Sequence, residues 1–589
     1  MNIFIKNTKY LWLFLMVGFI VFLPILFNGF VWDDLMGIID NSELHQLNLP
    51  VLLGHNWFNN SLFYRPLQVI YFASLYSLFG QQAFFYHLSQ LALHVIDAYL
   101  LFILFCLFFR KVISVALALL FLLHPINVES VAWISATNIE LHFFFGIIAL
   151  LLATKKHLSY KERFVIVTLL FLSILTRETG ILFLVLIIGY RYLFKINRLK
   201  DFFVTGIGMS IAYVLMRLFI GQSFYQIDSR IQIAALPFWE RLFNIPAIFM
   251  FYLTTFIYPL HLGIMQNWVV KTLTLQNFAI PLFVSTAFFI LLFVWFYTLY
   301  KNDEEHSTNE SEQLILEHKK SSQFAFFTLW FIIGMMPLMQ IIHLEMTVAE
   351  RFFYFPLAGL LGMIGIGIQA LYSSFLRRRI LYYTIAFVLL SLFSLRTFTR
   401  TFDWKDNITL YGHDAKEQTD NYYVTDAYAK ELLKSGSLDE ALVFAKKSAA
   451  VYPTIDSLNT LGFTYQRKHQ YKKAYDTYLQ AIALSREGSF HDDANASALK
   501  LVYTNLPALL LLEKKDTEAI QFLKEQALEK FPDDATLYIF LAIAEYNMHH
   551  RPEALEAANH AYKISPDEQS SRVLYSIQHN LAVTLNQHH

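Results

Sequence analysis

Residues 10–30 read YLWLFLMVGFIVFLPILFNGF, directly after Lys6 and Lys9. An apolar run of about 20 residues crosses a bilayer as a helix, because a helix satisfies its own backbone polar groups in hydrocarbon. A cleavable signal peptide is the alternative, but the run is long and has no small-residue cleavage site. Ten more apolar runs follow, at 87–109, 111–124, 139–154, 163–175, 179–194, 202–220, 279–300, 323–343, 352–375 and 379–397. Two others, 66–79 after Tyr64-Arg65-Pro66 and 241–261 with Pro246 and Pro259, are read as interfacial or re-entrant. A multi-pass membrane protein with about 11 spans is expected.

Composition agrees and shows where the membrane part stops. The chain is 56% hydrophobic and 16% charged, against about 45–50% and about 25% in soluble proteins. Residues 401–589 hold 19 Lys+Arg and 26 Asp+Glu, which leaves 27 and 20 for the first 400. Charge density therefore doubles across position 400, and a net charge of zero divides into +7 and −7. No basic arm or long basic run is present, so nucleic-acid binding is a poor reading. Cys106 is the sole cysteine; disulfides, Cys-rich zinc sites and iron–sulfur clusters are excluded.

Charge also predicts orientation. With a cytoplasmic N-terminus and eleven alternating spans, seventeen basic residues fall inside: Lys6, Lys9, Arg110, Lys111, Lys155, Lys156, Lys161, Arg163, Lys195, Arg198, Lys200, Lys301, Lys319, Lys320 and Arg377 to Arg379. Only Arg65, Arg177, Arg230, Arg241, Lys271 and Arg351 fall outside. This is the positive-inside asymmetry. An odd span number then places everything after residue 398 on the outer face.

The outward loops carry the chemistry. Phe30-Val31-Trp32-Asp33-Asp34 follows the first run. Paired carboxylates there suit a general base or a share in a divalent metal site; solvated anchoring is the bland alternative, and acids contribute little to orientation. The second loop holds His124-Pro125, Glu129, Asn138, Glu140 and His142. His124 and Glu129 could share a metal or a proton, or simply support the loop. The third is Thr176-Arg177-Glu178-Thr179, either a ligand site or a self-neutralising pair. The fifth carries Glu345, Glu350 and Arg351. Arg65, Arg177 and Arg351 stand where the charge rule disfavours them, and a guanidinium fork suits a phosphate. No P-loop or Gly-rich dinucleotide turn is present. His94 and Asp97 share a face of the 87–109 run and are read as an internal hydrogen bond.

Trp32-Asp33-Asp34, Tyr64-Arg65-Pro66-Leu67, His124-Pro125 with Glu129, Arg177-Glu178 and Ala349-Glu350-Arg351-Phe352-Phe353-Tyr354, in that order, resemble the transmembrane-and-tetratricopeptide-repeat glycosyltransferases. These are relatives of the protein O-mannosyltransferases in the GT-C class. The resemblance implies a sugar donor linked to polyprenyl or dolichyl phosphate, transfer to a protein hydroxyl on the outer face, and an acidic base in the first loop. That base is Asp33 or Asp34, with Asp34 favoured as further from the span. Arg65, His124, Glu129, Arg177, Glu178, Glu350 and Arg351 would line the substrate site. A divalent metal at Asp33, Asp34, His124 and Glu129 is compatible but not required, and no other cofactor is implied. The chain is shorter than typical animal members and has Arg177-Glu178 where those tend to have Lys-Glu. Both departures favour a bacterial relative: an inner-membrane protein with periplasmic repeats, or lumenal ones in an endoplasmic reticulum if eukaryotic.

Residues 457–484 carry Leu458, Leu461, Gly462, Tyr465, Ala474, Tyr478 and Ala481 at tetratricopeptide spacing. Neighbouring repeats supply Ala429, Ala441, Ala445 and Pro453, then a degenerate copy around Ala519 and Pro532, then Tyr538, Leu541, Ala542, Ala554, Ala558, Ala561 and Pro566. The expected fold is all-α: a GT-C-like membrane bundle over 1–397, a linker over 398–420 and a tetratricopeptide solenoid over 421–589 that docks a protein acceptor. The alternatives are a lipid-diphosphate-dependent oligosaccharide transferase or ligase, and a non-catalytic assembly scaffold. A transporter would place its ionisable residues near mid-span.

Overall fold

The computed structural model describes residues 8–54, 64–197, 199–220, 231–306, 319–375, 379–418, 420–486 and 493–583. Lys6, Arg198, Arg230, Arg377, Arg378 and most of the polar 301–320 segment lie outside them. The described chain is all-α; its one β feature is an isolated bridge between Gln266 and Val348. It forms two compact units, one of Met1–Ile227 and Gln232–Gln418, the other of Asp228–Ile231 and Thr419–His589.

Among the described residues of the first unit, eight helices are long and apolar enough to span a membrane. A ninth candidate is Lys111–Leu123 with Pro125–Ala132, bent by 48°. Pro125 causes that bend, because it cannot donate to the preceding turn. Fewer runs form long helices than sequence counting suggested. The 163–175 and 179–194 runs become the 17-residue Tyr160–Thr176 and 13-residue Ile181–Leu193 helices. They stop on either side of Arg177, whose backbone is extended. The 66–79 run is the 14-residue Pro66–Phe79 helix, and 241–261 takes in the end of the short Phe238–Leu242 helix and the Ile245–Ile257 helix.

Burial sorts the helices. Ala83–Phe105, Ile134–Ala153 and Glu350–Leu371 are each 72% buried over their apolar windows, whereas Leu275–Glu304 and Ile380–Trp404 are 11% and 6% buried. Apolar helices so exposed require lipid as their solvent. The inner helices are tied by a buried polar chain: the Tyr354 hydroxyl donates to Asp97 Oδ2 at 3.0 Å and lies 2.9 Å from His94 Nδ1. Elsewhere close approach does the work. A Cβ built on Gly359 would lie 2.5 Å from the backbone nitrogen of Phe331, so only glycine lets the Tyr354–Phe375 and Lys320–Met335 helices meet there.

The described second unit is a stack of helix pairs: Tyr422–Lys434 with Leu438–Val451, Ile455–Arg467 with Tyr471–Arg486, Asp493–Leu512 with Asp516–Phe522 and its continuation to Lys530, and Ala535–Asn547 with Arg551–Ile564, closed by Glu568–Gln578. Side chains of Asn421, Thr454 and Asp534 cap the first helices of three pairs, and that of Asp567 caps the closing helix. Small residues lie between paired helices; a Cβ on Gly462 would meet the Tyr478 ring at 2.6 Å. Of the 398–420 stretch, read as a linker, most of 398–417 is helical. It completes the Arg379–Thr401 helix, turns through Phe402–Trp404 and forms the Asn407–Glu417 helix, all in the first unit.

Candidate functional site

After the first helix Pro24 tightens the chain into a short 3₁₀ turn, and Asn28 caps it in extended conformation. Trp32 then adopts a left-handed backbone, φ 53°. For a bulky residue this costs about 1–3 kcal/mol and persists only where the surroundings impose it. Asp33 and Asp34 follow. Asp34 is fully buried and its oxygens are taken: Oδ1 accepts from the Ser135 N–H (2.8 Å) and hydroxyl (2.5 Å), and Oδ2 from the Val31 N–H (3.1 Å). Burial pushes Asp34 up to about 7 against those hydrogen bonds. Asp33 is partly exposed and accepts no hydrogen bond from a described side chain or backbone N–H. Burial, then the Asp34 charge, push it up to about 7, opposed by Arg351. Asp34 is thus tied to the Ser135 and Val31 segments, whereas Asp33 is not tied in this way by any described residue.

The Arg351 guanidinium pairs with Glu129 Oε1, while the Arg351 backbone N–H donates to Glu129 Oε2 at 2.8 Å. Glu129 reaches this position because the chain restarts as the Val128–Ala132 helix after the Pro125 bend. Three aromatic rings enclose the guanidinium carbon: Trp133 at 4.8 Å, Phe352 at 4.9 Å and Trp32 at 5.5 Å. Trp32 and Trp133 stack with centroids 4.4 Å apart. Such cation–π contacts are worth about 0.5–2 kcal/mol each, most when desolvated.

A hydrogen-bonded chain leads from the carboxylates to the third loop. Ser135 holds Asp34, the Asn138 amide donates to the Ser135 carbonyl at 3.0 Å, and Arg177 donates to Asn138 Oδ1 at 2.8 Å. Burial, then the nearby Arg65, push the Arg177 guanidinium down to about 9, with Arg351 adding to the effect and Glu178 opposing it. It remains a cation at neutral pH, with Glu178 and Glu345 in its field. Arg177, Arg351, His142, Thr179 and Phe352 line a cavity of about 30 Å³, room for about one water. His142 Nδ1 lies 2.9 Å from the Asn138 carbonyl, so it carries the proton, and buried Nε2 is a lone pair with no described partner. Beside this, Glu178 is shared by Arg65 at 3.6 Å and Arg217 at 3.9 Å, with the Tyr213 hydroxyl donating at 3.4 Å.

Two expected site residues face elsewhere. His124 accepts from the Ile126 N–H through Nδ1 and donates from Nε2 to the Phe256 carbonyl at 2.9 Å, so both nitrogens are committed to backbone. Glu350 accepts from the Gly263 N–H, on the side where Asp414 accepts from Ile264 and from Arg400. Among the described residues no three His, Cys, Asp or Glu side chains converge as a metal-ligand set. Sequence reading missed Arg217, Ser135 and Asn407. Arg217, an ionisable residue within an apolar run, was the findable one.

The exposed apolar helices, the cluster of loop-borne carboxylates and arginines, and the stacked helix pairs define a multi-pass membrane protein carrying a tetratricopeptide-type solenoid. The chain is a distant homologue of protein O-mannosyl-transferases. It is 23% identical over 561 residues to the human "Protein O-mannosyl-transferase TMTC3", matching 87% of this chain and 60% of the human protein. To "Protein O-mannosyl-transferase F38B6.6" of Caenorhabditis elegans it is 23% identical over 434 residues, 69% and 57% of the two chains. It therefore spans about three-fifths of the length of the curated relatives it matches. No family model matches the chain. Among solved structures, that of YrrB, a TPR protein with an unusual peptide-binding site, is similar at a TM-score of 0.23 and 18% identity, over 29% of this chain and 84% of that one.

Proposed function

We propose that this protein is an integral-membrane glycosyltransferase that moves a sugar, mannose first among candidates, from a polyprenyl-phosphate carrier to a protein hydroxyl. The observation that carries the reading is Asp33: a carboxyl that accepts no hydrogen bond from a described residue, raised to about 7, in the field of Arg351 and in a chain related to protein O-mannosyl-transferases. The acceptor oxygen bonds to the anomeric carbon as that carbon's bond to the phosphate oxygen breaks. The acceptor proton passes to Asp33 and the electron pair leaves with the phosphate. A single displacement of this kind inverts the anomeric centre. General-base help is worth about 10²–10⁴-fold. Arg177 and Arg65 meet the charge that gathers on the phosphate. His142 Nε2, a lone pair rather than a donor, suits a sugar hydroxyl. Arg351, already satisfied by Glu129, acts by shaping the pocket and restraining Asp33.

Charge asymmetry of the loops supports an outward-facing site, with the repeats on the same side, where they dock the acceptor protein. The test is transfer by the full chain in nanodiscs, with polyprenyl-phosphate mannose and glucose as donors and proteins of the host envelope as acceptors. Wild type should label a defined acceptor, and Asp33→Asn should not. Equal glycan profiles for the two would leave the scaffold reading standing, with the repeats as the working part.

A further inference from the structure

The turn that carries Asp33 is held by three hydrogen bonds to one distant stretch of chain. The Asn28 amide donates to the Thr401 carbonyl at 2.9 Å, the Gly29 N–H to the Lys405 carbonyl at 3.0 Å, and the Trp32 N–H to Asn407 Oδ1 at 2.8 Å. The first two acceptors are main-chain carbonyls that any residue offers. The third is a side chain, so it depends on asparagine at that position. It also meets Trp32 at its left-handed backbone, which most needs holding.

The support itself is stiff. Asp406 caps the Asn407–Glu417 helix by accepting from the Thr409 N–H at 2.9 Å. Buried Arg400 ties the preceding corner through Asp403 at 3.1 Å and Asp414 at 3.2 Å. Asn407 occupies the first turn of that anchored helix. Two things depend on the Trp32 conformation: its ring closes the cage over Arg351 against Trp133, and Asp33, the next residue, takes its direction from it.

We infer that Asn407 is a positioning residue of the site, whose side-chain carbonyl holds Trp32 in its left-handed conformation and thereby sets Asp33 and the cage around Arg351. This rests on the proposal that the Asp33 site performs glycosyl transfer. A misplacement of about 1 Å at a reacting group can cost about 10²-fold in rate. Without Asn407 the loss falls on kcat, because Arg65 and Arg177, proposed to meet the donor phosphate, make no described contact with Asn407.

The experiment compares wild type, Asn407→Ala and Asn407→Asp in nanodiscs with polyprenyl-phosphate mannose as donor, and follows hydrogen exchange of residues 28–35 in the same samples. Asn407→Ala is expected to lower kcat by about 10–100-fold, with donor KM nearly unchanged and faster exchange at Trp32 and Asp33. Asn407→Asp keeps a carbonyl-type acceptor and should restore both. Wild-type kcat and exchange in Asn407→Ala would overturn the inference, as would Asn407→Asp failing as badly as alanine. Folded wild type that transfers no sugar would count against the proposed reaction instead; the exchange measurement would then still decide whether Asn407 holds the turn.

Discussion

Arg351 gives Glu129 hydrogen bonds from two parts of itself, its guanidinium to one carboxylate oxygen and its backbone N–H to the other, across 222 residues of sequence. Glu129 therefore reads both the charge of residue 351 and the position of its main chain. Breaking a buried pair by removing one partner leaves the other charge stranded, at a cost of about 3–5 kcal/mol. Arg351→Ala should lower the unfolding midpoint sharply in thermal melts of the detergent-solubilised protein. The double change Glu129→Gln with Arg351→Met should recover much of that stability without recovering transfer.

Asp33 and Asp34 should fail differently. Asp33→Asn removes a carboxylate that no described residue hydrogen-bonds, so transfer should fall at least about 10²-fold while the melting midpoint at pH 7 and above is not lowered. Asp34→Asn puts a donor amide among three hydrogen bonds from Ser135 and Val31. It should lose about 1–3 kcal/mol of stability as well as activity. Melting curves beside transfer assays separate the two, and equal melting of both variants would count against the assignment.

Activity and stability should move in opposite directions with pH. In the folded protein Asp33 and Asp34 keep their protons up to about 7, against an ordinary value of 3.8. Between those values the folded state binds more protons than the unfolded one. The associated stability is present in full below about 3.8 and is lost as pH rises through 7. A base works deprotonated, so kcat/KM should climb to a plateau above pH 7. Paired melting and rate profiles from pH 5 to 8 check this; an acid limb near pH 4 would contradict it.

Gly359→Ala should damage the bundle far from the loops. Its Cβ would lie 2.5 Å from Phe331 N and 2.9 Å from Phe327 O, backbone atoms that cannot turn aside. Forcing the helices apart should cost about 1–3 kcal/mol, seen as a lower unfolding midpoint with donor KM unchanged.

The repeats were legible because packed helix pairs demand small residues at fixed places: Gly462 under Tyr478 is a local pattern. Asp33, Asp34, Arg177 and Arg351 were legible as ionisable residues at the edges of apolar runs. Their partners were not. Nothing local to His124 reveals that Phe256 will occupy its Nε2, or that Glu350 will turn to Gly263 rather than to the arginine beside it. These choices are settled by chain segments more than 80 residues away. Arg217 had a signal, a lone charge within an apolar run, that pointed to a role but not to Glu178 as its partner. Residues 398–420 read as a linker because polar, helix-capping sequence looks alike whether it braces a site or merely connects two domains.

The arginines around Glu178 also bear on what leaves the site. Arg65 and Arg217 approach the Glu178 carboxylate at 3.6 Å and 3.9 Å, and Arg177 lies in the field of the same acid, so guanidinium groups gather where the donor phosphate is proposed to sit. Under the proposed reaction the donor arrives as a phosphodiester with a single negative charge. Its carrier departs as a monoester with close to two at neutral pH. Clustered guanidinium groups hold a dianion more tightly than a monoanion, so the spent carrier would bind better than the loaded one. Turnover would be paced by lipid exchange at the membrane, and accumulated polyprenyl phosphate would act as a brake on the enzyme.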